Sequence, residues 1–366
     1  MEIDVHCDCY SVNSFNLNLD SSHSSDFKLL HVNIRSLRKN SGKLVELLST
    51  VSEPFDIICL SETFLYKHEE NNFPISNYVF TGSSRPSRAG GVGAYVRNDL
   101  IFKSEEIMIS GAEASVFYIE SVIKNSILIT TVIYRRPSRL AADLDKFYFD
   151  LDRYLHSNKH AYHIVTGDIN INILSPNASE YLDIMHLYNF SSLISIPTRV
   201  TTDSSTCIDH LYANFSHSAV NSGTIITDVS DHYPIFGIFK TLNQTNTNAY
   251  DVNLLCHRSL DKNLIVTELG GTDWGNLIYS EKNLDTCCTN MIHYLQSLVS
   301  KSTCHDGKSK NRRSKPKFPW INKNLMFEIN KKNNLFNKHR QFPFSPKLKT
   351  RYHKQRNKVT WLLKEA

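Results

Sequence analysis

The sequence predicts an α/β fold in which two packed, mixed β-sheets are flanked by helices. Three observations carry this expectation. At least eight short runs rich in β-branched and aromatic residues recur between positions 27 and 239. About three stretches of helical apolar spacing are interspersed among them. The order is neither a strict strand–helix alternation nor an all-β succession, so the strands suit two facing sheets with helices on the outside.

The first 26 residues are rich in Ser, Asn and Asp, lack sustained periodicity, and are expected to form a disordered leader. The first strand is expected at Phe27–Val32, and others at 56–60, 91–96, 116–119, 127–134, 162–165, 208–212 and 234–239. Leu44, Val45, Leu47, Leu48 and Val51 mark one helix, Leu144, Phe147, Tyr148, Leu151, Tyr154 and Leu155 a second, and Tyr181, Leu182, Met185 and Leu187 a third. The domain body is therefore bounded at 27–240. The polar stretch 242–248 reads as a linker. Residues 241–366 are expected to comprise this linker and a mainly helical, basic extension, with a basic loop at 308–317 and helices at about 321–340 and 347–365. No internal repeat is visible.

With 366 residues and 41% apolar content, the chain can bury a sizeable core. No run approaches the roughly 18 apolar residues of a membrane span, and the start lacks the basic and apolar segments of a secretory signal. No membrane partner is expected, and the protein is expected inside the cell. The eight cysteines form no paired Cys-x-x-Cys motif, and Cys256-His257 with Cys287, Cys288 and His293 is too irregular for zinc; reduced thiols are expected. The net charge of +5 conceals a split. From Lys301 onward, 19 Lys and Arg face three acids, a net of +16, whereas the first 300 residues carry 22 basic and 33 acidic residues, a net of −11. The basic segment suits a polyanionic partner, such as DNA or RNA.

Polar residues recur at the carboxyl ends of the expected strands: Asn33, Glu62, Tyr134, Asp168 with Asn170, and Asp209, together with Asp231-His232 just before the last strand. Any one of them could simply terminate a strand, but packed sheets can bring several such ends to one edge. Cleavage of a phosphodiester requires a deprotonated water, neutralised phosphoryl oxygens and a stabilised leaving oxygen. A hard cation such as Mg²⁺ or Mn²⁺ prefers carboxylate and amide oxygens, which Glu62 and Asn33 offer. Asp168 suits activation of the water, and Asn170 can donate to a phosphoryl oxygen. His232, held by a carboxylate such as Asp209, could donate to the phosphate.

Arg35, Arg38 and Lys39, and likewise Arg85, Arg88, Arg97, Arg135 and Arg136, could grip phosphates or merely be solvated. Gly90-Gly91-Val92-Gly93 precedes a strand and is not followed by a helix, so it reads as a tight turn and close strand packing instead of a phosphate cradle. His210 should face away from Asp209 in a regular strand. Asn172 is expected to make a structural hydrogen bond.

The motifs His31-Val32-Asn33-Ile34-Arg35-Ser36-Leu37, Ser61-Glu62-Thr63, Tyr134-Arg135-Arg136-Pro137, Gly167-Asp168-Ile169-Asn170, Ile208-Asp209-His210 and Ser230-Asp231-His232-Tyr233-Pro234 together resemble the endonuclease/exonuclease/phosphatase superfamily. Within it, the chain is most similar to the apurinic-type endonuclease domain of non-LTR retrotransposon polyproteins. The resemblance implies a four-layered α/β sandwich and a metal-dependent DNA endonuclease whose nick leaves a 3′-hydroxyl to prime reverse transcription. It implies Glu62 as principal metal ligand, with Asn33 and Asp231 nearby, and Asp168 as the water-activating acid. Asn170 and Tyr134 are implied as phosphate contacts and Asp209 as the support of His232. It further implies nuclear location at the time of cleavage, and element RNA as a second partner of the basic tail.

The tail resembles the connector that precedes the polymerase in such polyproteins, and no polymerase residues are present. Three alternatives share the core residues: a phosphatase acting on inositol lipids or sphingomyelin, a cellular apurinic-site repair enzyme, and a catalytically inactive nucleic-acid-binding remnant. The tract Ser205-Thr206-Cys207-Ile208-Asp209-His210 differs from the Trp-Cys-Asp-Arg pattern of the inositol phosphatases.

Overall fold

Alternation along the strands sets the layers. In Phe27–Asn33, Phe27 and Leu29 point to one side and Leu30 and Val32 to the other, and all four are fully buried, so this strand must be covered on both faces. The computed structural model describes residues 7–18, 26–83, 90–123, 126–138, 140–201, 203–215, 219–240, 262–275, 284–302 and 318–366. Its first half contains strands β1 (Cys7–Ser11), β2 (Phe27–Asn33), β3 (Ile57–Ser61), β4 (Tyr78–Ser83), β5 (Val92–Arg97), β6 (Phe102–Ile109), β7 (Ala112–Ile123) and β8 (Ser126–Arg135), with helices α1 (Val12–Asn18) and α2 (Leu37–Thr50). Then follow α3 (Ala141–Ser157), β9 (Tyr162–Asp168), α4 (Ser179–Leu187), the short strands β10 (Ser191–Ser192), β11 (Arg199–Val200) and β12 (Ser205–Thr206), and β13 (Asp209–Ala213), β14 (Ala219–Ile226) and β15 (Ile235–Phe239).

One sheet has seven strands in the order β1-β14-β15-β2-β3-β5-β4; the other has six in the order β10-β13-β9-β8-β7-β6, and β11 and β12 form a separate two-stranded ribbon. Both large sheets are mixed, with β1/β14, β2/β3 and β8/β9 parallel. Phe27, Leu29, Ile57, Val92, Val132, Ile164 and Leu211 fill the space between the sheets. Leu30, Val32, Ile58 and Phe236 pack under α1 and α2, and Ile133, Val165 and Tyr212 under α3 and α4. These are the expected two sheets with helices outside, four layers in all.

The three expected helices and eight expected strands are present. Four longer strands were not anticipated: β1, β4, β6 and β14. The leader also differs from expectation. Residues 7–11 extend the seven-stranded sheet by parallel pairing with Ser222–Ile226, and Phe15 is buried against Phe55 and Phe236. A short sequence of low overall hydropathy is ordered here because Tyr10, Val12 and Phe15 all land on one existing core. Residues 1–6 and 19–25, the proposed linker at 242–248, the basic loop at 308–317, and Arg85 and Arg88 lie outside the described residues.

The helices α5 (Lys262–Gly271) and α6 (Leu284–Ser302) form a compact unit of their own. In it, Tyr294 packs edge-on against Trp274. Helices α7 (Lys323–Gln341) and α8 (Pro346–Glu365) pair through Leu325, Ile329 and Val359 and belong to the same compact unit as the sheets. Asn322 and Ser345 cap their N-termini through Leu325 and Leu348 N–H groups. Phe318 is buried in the apolar layer under α2, and Lys332, only 2% exposed, is bonded at 2.6 Å to both Glu46 of α2 and Asp228 after β14. Tyr352 of α8 donates to the same Asp228 at 2.8 Å. No described helix is long and apolar enough to cross a membrane.

Candidate active site

Register brings the chemistry together. In the six-stranded sheet Tyr134 of β8 lies opposite Asp168 of β9, which lies opposite Asp209 of β13, so three candidate side chains form one row at a single rim. Gly167 allows this row to close: its backbone has φ 146°, and a Cβ there would overlap the Ile133 carbonyl. The facing sheet contributes Asn33 at the end of β2 and Glu62 immediately after β3. Their junctions are joined by Ile34 N–H to Ser61 O at 2.9 Å and Ser36 N–H to Glu62 O at 2.8 Å. Glu62 takes the left-handed conformation, φ 54°, which re-aims its side chain where a regular strand would not. Gly90 and Gly91, also left-handed, accept from Phe64 and Thr63 N–H and make the expected tight turn, and Glu113 accepts the Gly91 N–H.

The Asn33 amide nitrogen donates to Glu62 Oε1 at 2.9 Å and to Asp168 Oδ2 at 2.7 Å, linking the two sheets. Asp209 Oδ2 accepts from His232 Nδ1 at 2.8 Å and from the Thr198 hydroxyl at 2.7 Å. Ligating atoms of Asp168, Asp209 and His232 all lie within 4.8 Å of one another. Six of the eight expected residues thus converge: Asn33, Glu62, Tyr134, Asp168, Asp209 and His232. Asn170 borders the group; its backbone N–H donates to Asp168 Oδ1 at 3.2 Å, while its side-chain amide donates to the Arg135 carbonyl at 2.9 Å. Asp231 stands apart. Its half-exposed carboxylate pairs with Arg35 at 2.9 Å and Arg199 at 3.2 Å, and the Arg35 guanidinium lies between it and Glu62.

Electrostatics separate the roles. Burial, then the neighbouring charges of Asp209 and Glu62, push the Asp168 carboxyl up to about 8 against the opposing pull of His232 and the Asn170 N–H. Burial alone would lower His232, but the Asp209 charge and hydrogen bond, followed by Asp168 and Asp231, raise it to about 9. Burial alone would raise Asp209, and the cationic His232 with the Thr198 hydrogen bond outweighs it and holds the carboxylate low. Tyr134 is pushed well up by burial and by Glu62 and Asp168, so its hydroxyl stays a donor. Beneath the site, His31 is lowered to about 4 by burial and bonds Ser61 Oγ at 2.8 Å as a neutral ring.

The donor set fits a hard divalent cation. Glu62 and Asp168 offer carboxylate oxygens drawn to a common point by Asn33, and Asp209 Oδ1 is buried with no hydrogen-bond partner among the described residues. His232 commits its Nδ1 to Asp209, and the raised ring suits donation to an anionic group.

Three further residues support the site; Thr198 and Arg199 carry no functional signal in the sequence, and Ser230 is visible only as part of its motif. Thr198 accepts the Ile208 and Asp209 N–H groups at 3.2 and 3.1 Å while donating to the carboxylate; no spacing relates it to an acid. Ser230 donates to the Asn33 carbonyl at 2.7 Å and accepts the His232 N–H at 3.1 Å, and the Arg199 backbone pairs with that of His232 in an isolated antiparallel β-bridge. Among the arginines, Arg97 is buried against Asp56 and Asp99, Arg135 binds the Ile169 and Asn170 carbonyls, Arg136 meets Glu113 and Arg38 pairs with Glu69. His210 faces away from the site as expected, bonded to Tyr181 and the Ile171 carbonyl. Asn172 makes the expected structural hydrogen bonds, accepting the Leu174 and Cys207 N–H groups.

The sequence profile of the Endonuclease/Exonuclease/phosphatase family matches residues 14–232. No curated protein matches the chain by sequence. Among solved structures, the AP endonuclease LMAP from Leishmania major superposes with a TM-score of 0.50 at 15% identity, covering 65% of this chain and 93% of that one. At that identity the likeness speaks to the fold alone. A mannosyl-6-phosphatase from Bacteroides thetaiotaomicron gives a TM-score of 0.47 at 13% identity, covering 58% of this chain and 100% of that one. The 3′-5′ exonuclease from Neisseria meningitidis gives 0.46 at 14%, covering 58% and 99%.

Proposed function

This chain belongs to the endonuclease/exonuclease/phosphatase family, and on that premise we propose that it is a divalent-cation-dependent DNA endonuclease of the non-LTR retrotransposon type, which nicks its target and leaves a 3′-hydroxyl to prime reverse transcription. The observation that carries the reading is the arrangement at the rim: a carboxylate pair joined by Asn33 stands beside a buried Asp209–His232 ion pair. Glu62, with Asn33 and Asp168, would hold the cation, Mg²⁺ or Mn²⁺, which supplies charge neutralisation at the phosphate. Asp168 in its carboxylate form takes a proton from the attacking water. His232, kept cationic by Asp209, donates to a non-bridging phosphate oxygen whose charge grows in the transition state. Tyr134, and the N–H that Asn170 retains beyond its bond to Arg135, are further donors at the same edge. The net +16 from Lys301 onward favours a polyanionic substrate over a compact phosphomonoester.

The test is nicking of supercoiled DNA with Mg²⁺, followed by extension of the nick by a polymerase. The reading expects a relaxed circle with an extendable 3′-end. Release of phosphate from inositol lipids without DNA cleavage supports the phosphatase alternative instead. Intact DNA and intact lipid would favour the inactive remnant.

A further inference from the structure

Helices α7 and α8 are fixed beside the site by buried ion pairs. Lys332, Glu46 and Asp228 are each less than a tenth exposed, and breaking such a network leaves an uncompensated buried charge. The Asp228 so fixed begins the short segment that leads through Ser230 and Asp231 to His232. Between α2, this segment and α8 runs an open cleft of about 560 Å³ that reaches Asp231 at the candidate site.

Three of the cations lining it, Lys39, Lys43 and Arg356, have no carboxylate within ion-pair distance among the described residues. Lys43 donates to the Asp228 and Val229 carbonyls at 2.9 and 3.3 Å, which leaves one of its three N–H groups uncommitted. Arg356 lies over the Tyr352 ring with its cation centre 5.9 Å from the ring centre. Burial lowers the Lys43 ammonium against the opposing pull of Asp228, and Lys332 and Arg356 add like-charge repulsion. Nearby, Arg340 of α7 covers the Tyr233 ring at 5.1 Å.

We propose that this cleft binds the sugar-phosphate backbone of duplex DNA running on from the cleaved phosphodiester, and that Arg356 of α8, with Lys39 and Lys43 of α2, contacts its phosphates. The basic helical pair is then a wall of the substrate track, set in place by Lys332 and Tyr352, and it contributes through fixed positions instead of diffuse charge. The proposal rests on the endonuclease reading for its substrate, and the test separates the two.

The intact chain is titrated by fluorescence anisotropy with a labelled duplex of arbitrary sequence, in EDTA so that no cleavage occurs, at several salt concentrations. Three proteins are compared: the parent, Lys39→Ala/Arg356→Ala, and Lys349→Ala/Lys364→Ala. The last removes the same charge from exposed positions of α8 outside the cleft. The cleft variant is expected to bind about tenfold more weakly at physiological salt, with a slope of log K against log salt shallower by about 1.8, since each lost phosphate contact removes about 0.9. The control pair is expected to change both far less. Equal losses in the two variants, or unchanged affinity and slope in the cleft variant, would overturn the proposal, as would absence of binding by the parent. If the expected pattern holds while Mg²⁺ elicits no nicking, the cleft stands and the endonuclease reading fails.

Discussion

Replacing Asp209 with Asn changes a charge and little else. The Asn oxygen can still accept from His232 Nδ1, where the carboxylate now does so at 2.8 Å in a pair no more than 2% exposed. His232 sits at about 9 against an ordinary 6.5, so the paired form of the cation is favoured by about 3 kcal/mol. That stabilisation is fully present below 6.5 and disappears as pH rises through about 9. Without the carboxylate, burial dominates and the ring falls below 6.5, so at pH 7.5 fewer than about one molecule in ten carries the charge. The nicking rate at pH 7.5 should drop at least tenfold from protonation alone. The descending limb of the pH–rate profile should move from near 9 to the acid side of neutrality. The ascending limb should move much less, because losing the Asp209 charge lowers Asp168 while losing the His232 cation raises it. Plasmid relaxation measured between pH 5.5 and 9.5 reads both limbs. An Asp209→Asn enzyme that keeps its descending limb near 9 would refute the assignment of that limb to His232.

Asp168→Asn should reduce nicking by about 10²–10⁴-fold, as expected for loss of a general base. In EDTA the same variant should melt at a higher temperature than the parent, because it removes a buried carboxylate that Asp209 and Glu62 oppose; a lower melting temperature would contradict that electrostatic account. Lys332→Met should destabilise by about 3–5 kcal/mol in urea unfolding, since Glu46 and Asp228 would remain buried without their cation. An unchanged midpoint would mean that the helical pair does not depend on this contact. Phe15→Ala should cost about 3–5 kcal/mol despite lying in the N-terminal stretch, because its ring is 1% exposed against Phe55 and Phe236. A loss below 1 kcal/mol would restore the reading of that stretch as a loose leader.

Much of this was legible because the candidate rim is made of strand ends. The runs at 57–60, 127–134 and 162–165 are nearly all apolar, as strands buried on both faces must be, and Glu62, Tyr134 and Asp168 lie at or just beyond their carboxyl ends. The strands that escaped notice are of another kind. β6, Phe102–Ile109, is an edge strand carrying Lys103, Glu105 and Glu106, and such charge blunts the edge while hiding the apolar signal. β14, with Asn221, Ser222, Gly223 and Thr224, pairs β1 on one side and β15 on the other, and its identity comes from those partners. Thr198 was silent because its role exists only where the β11 segment passes Asp209. The docking of α7 and α8 was equally hidden, since Lys332 looks like any solvated lysine until Glu46 and Asp228, far away in sequence, close around it.

The central claim is that Glu62, Asn33 and Asp168 share one divalent cation while His232, cationic and bonded to Asp209, stays out of its coordination. Crystals soaked in Mn²⁺ and measured at a wavelength where manganese scatters anomalously test it most directly. A single strong peak bonded to Glu62, with His232 still on Asp209, is the predicted result. A peak coordinated by His232, or no peak at this rim under conditions that support nicking, would contradict the account.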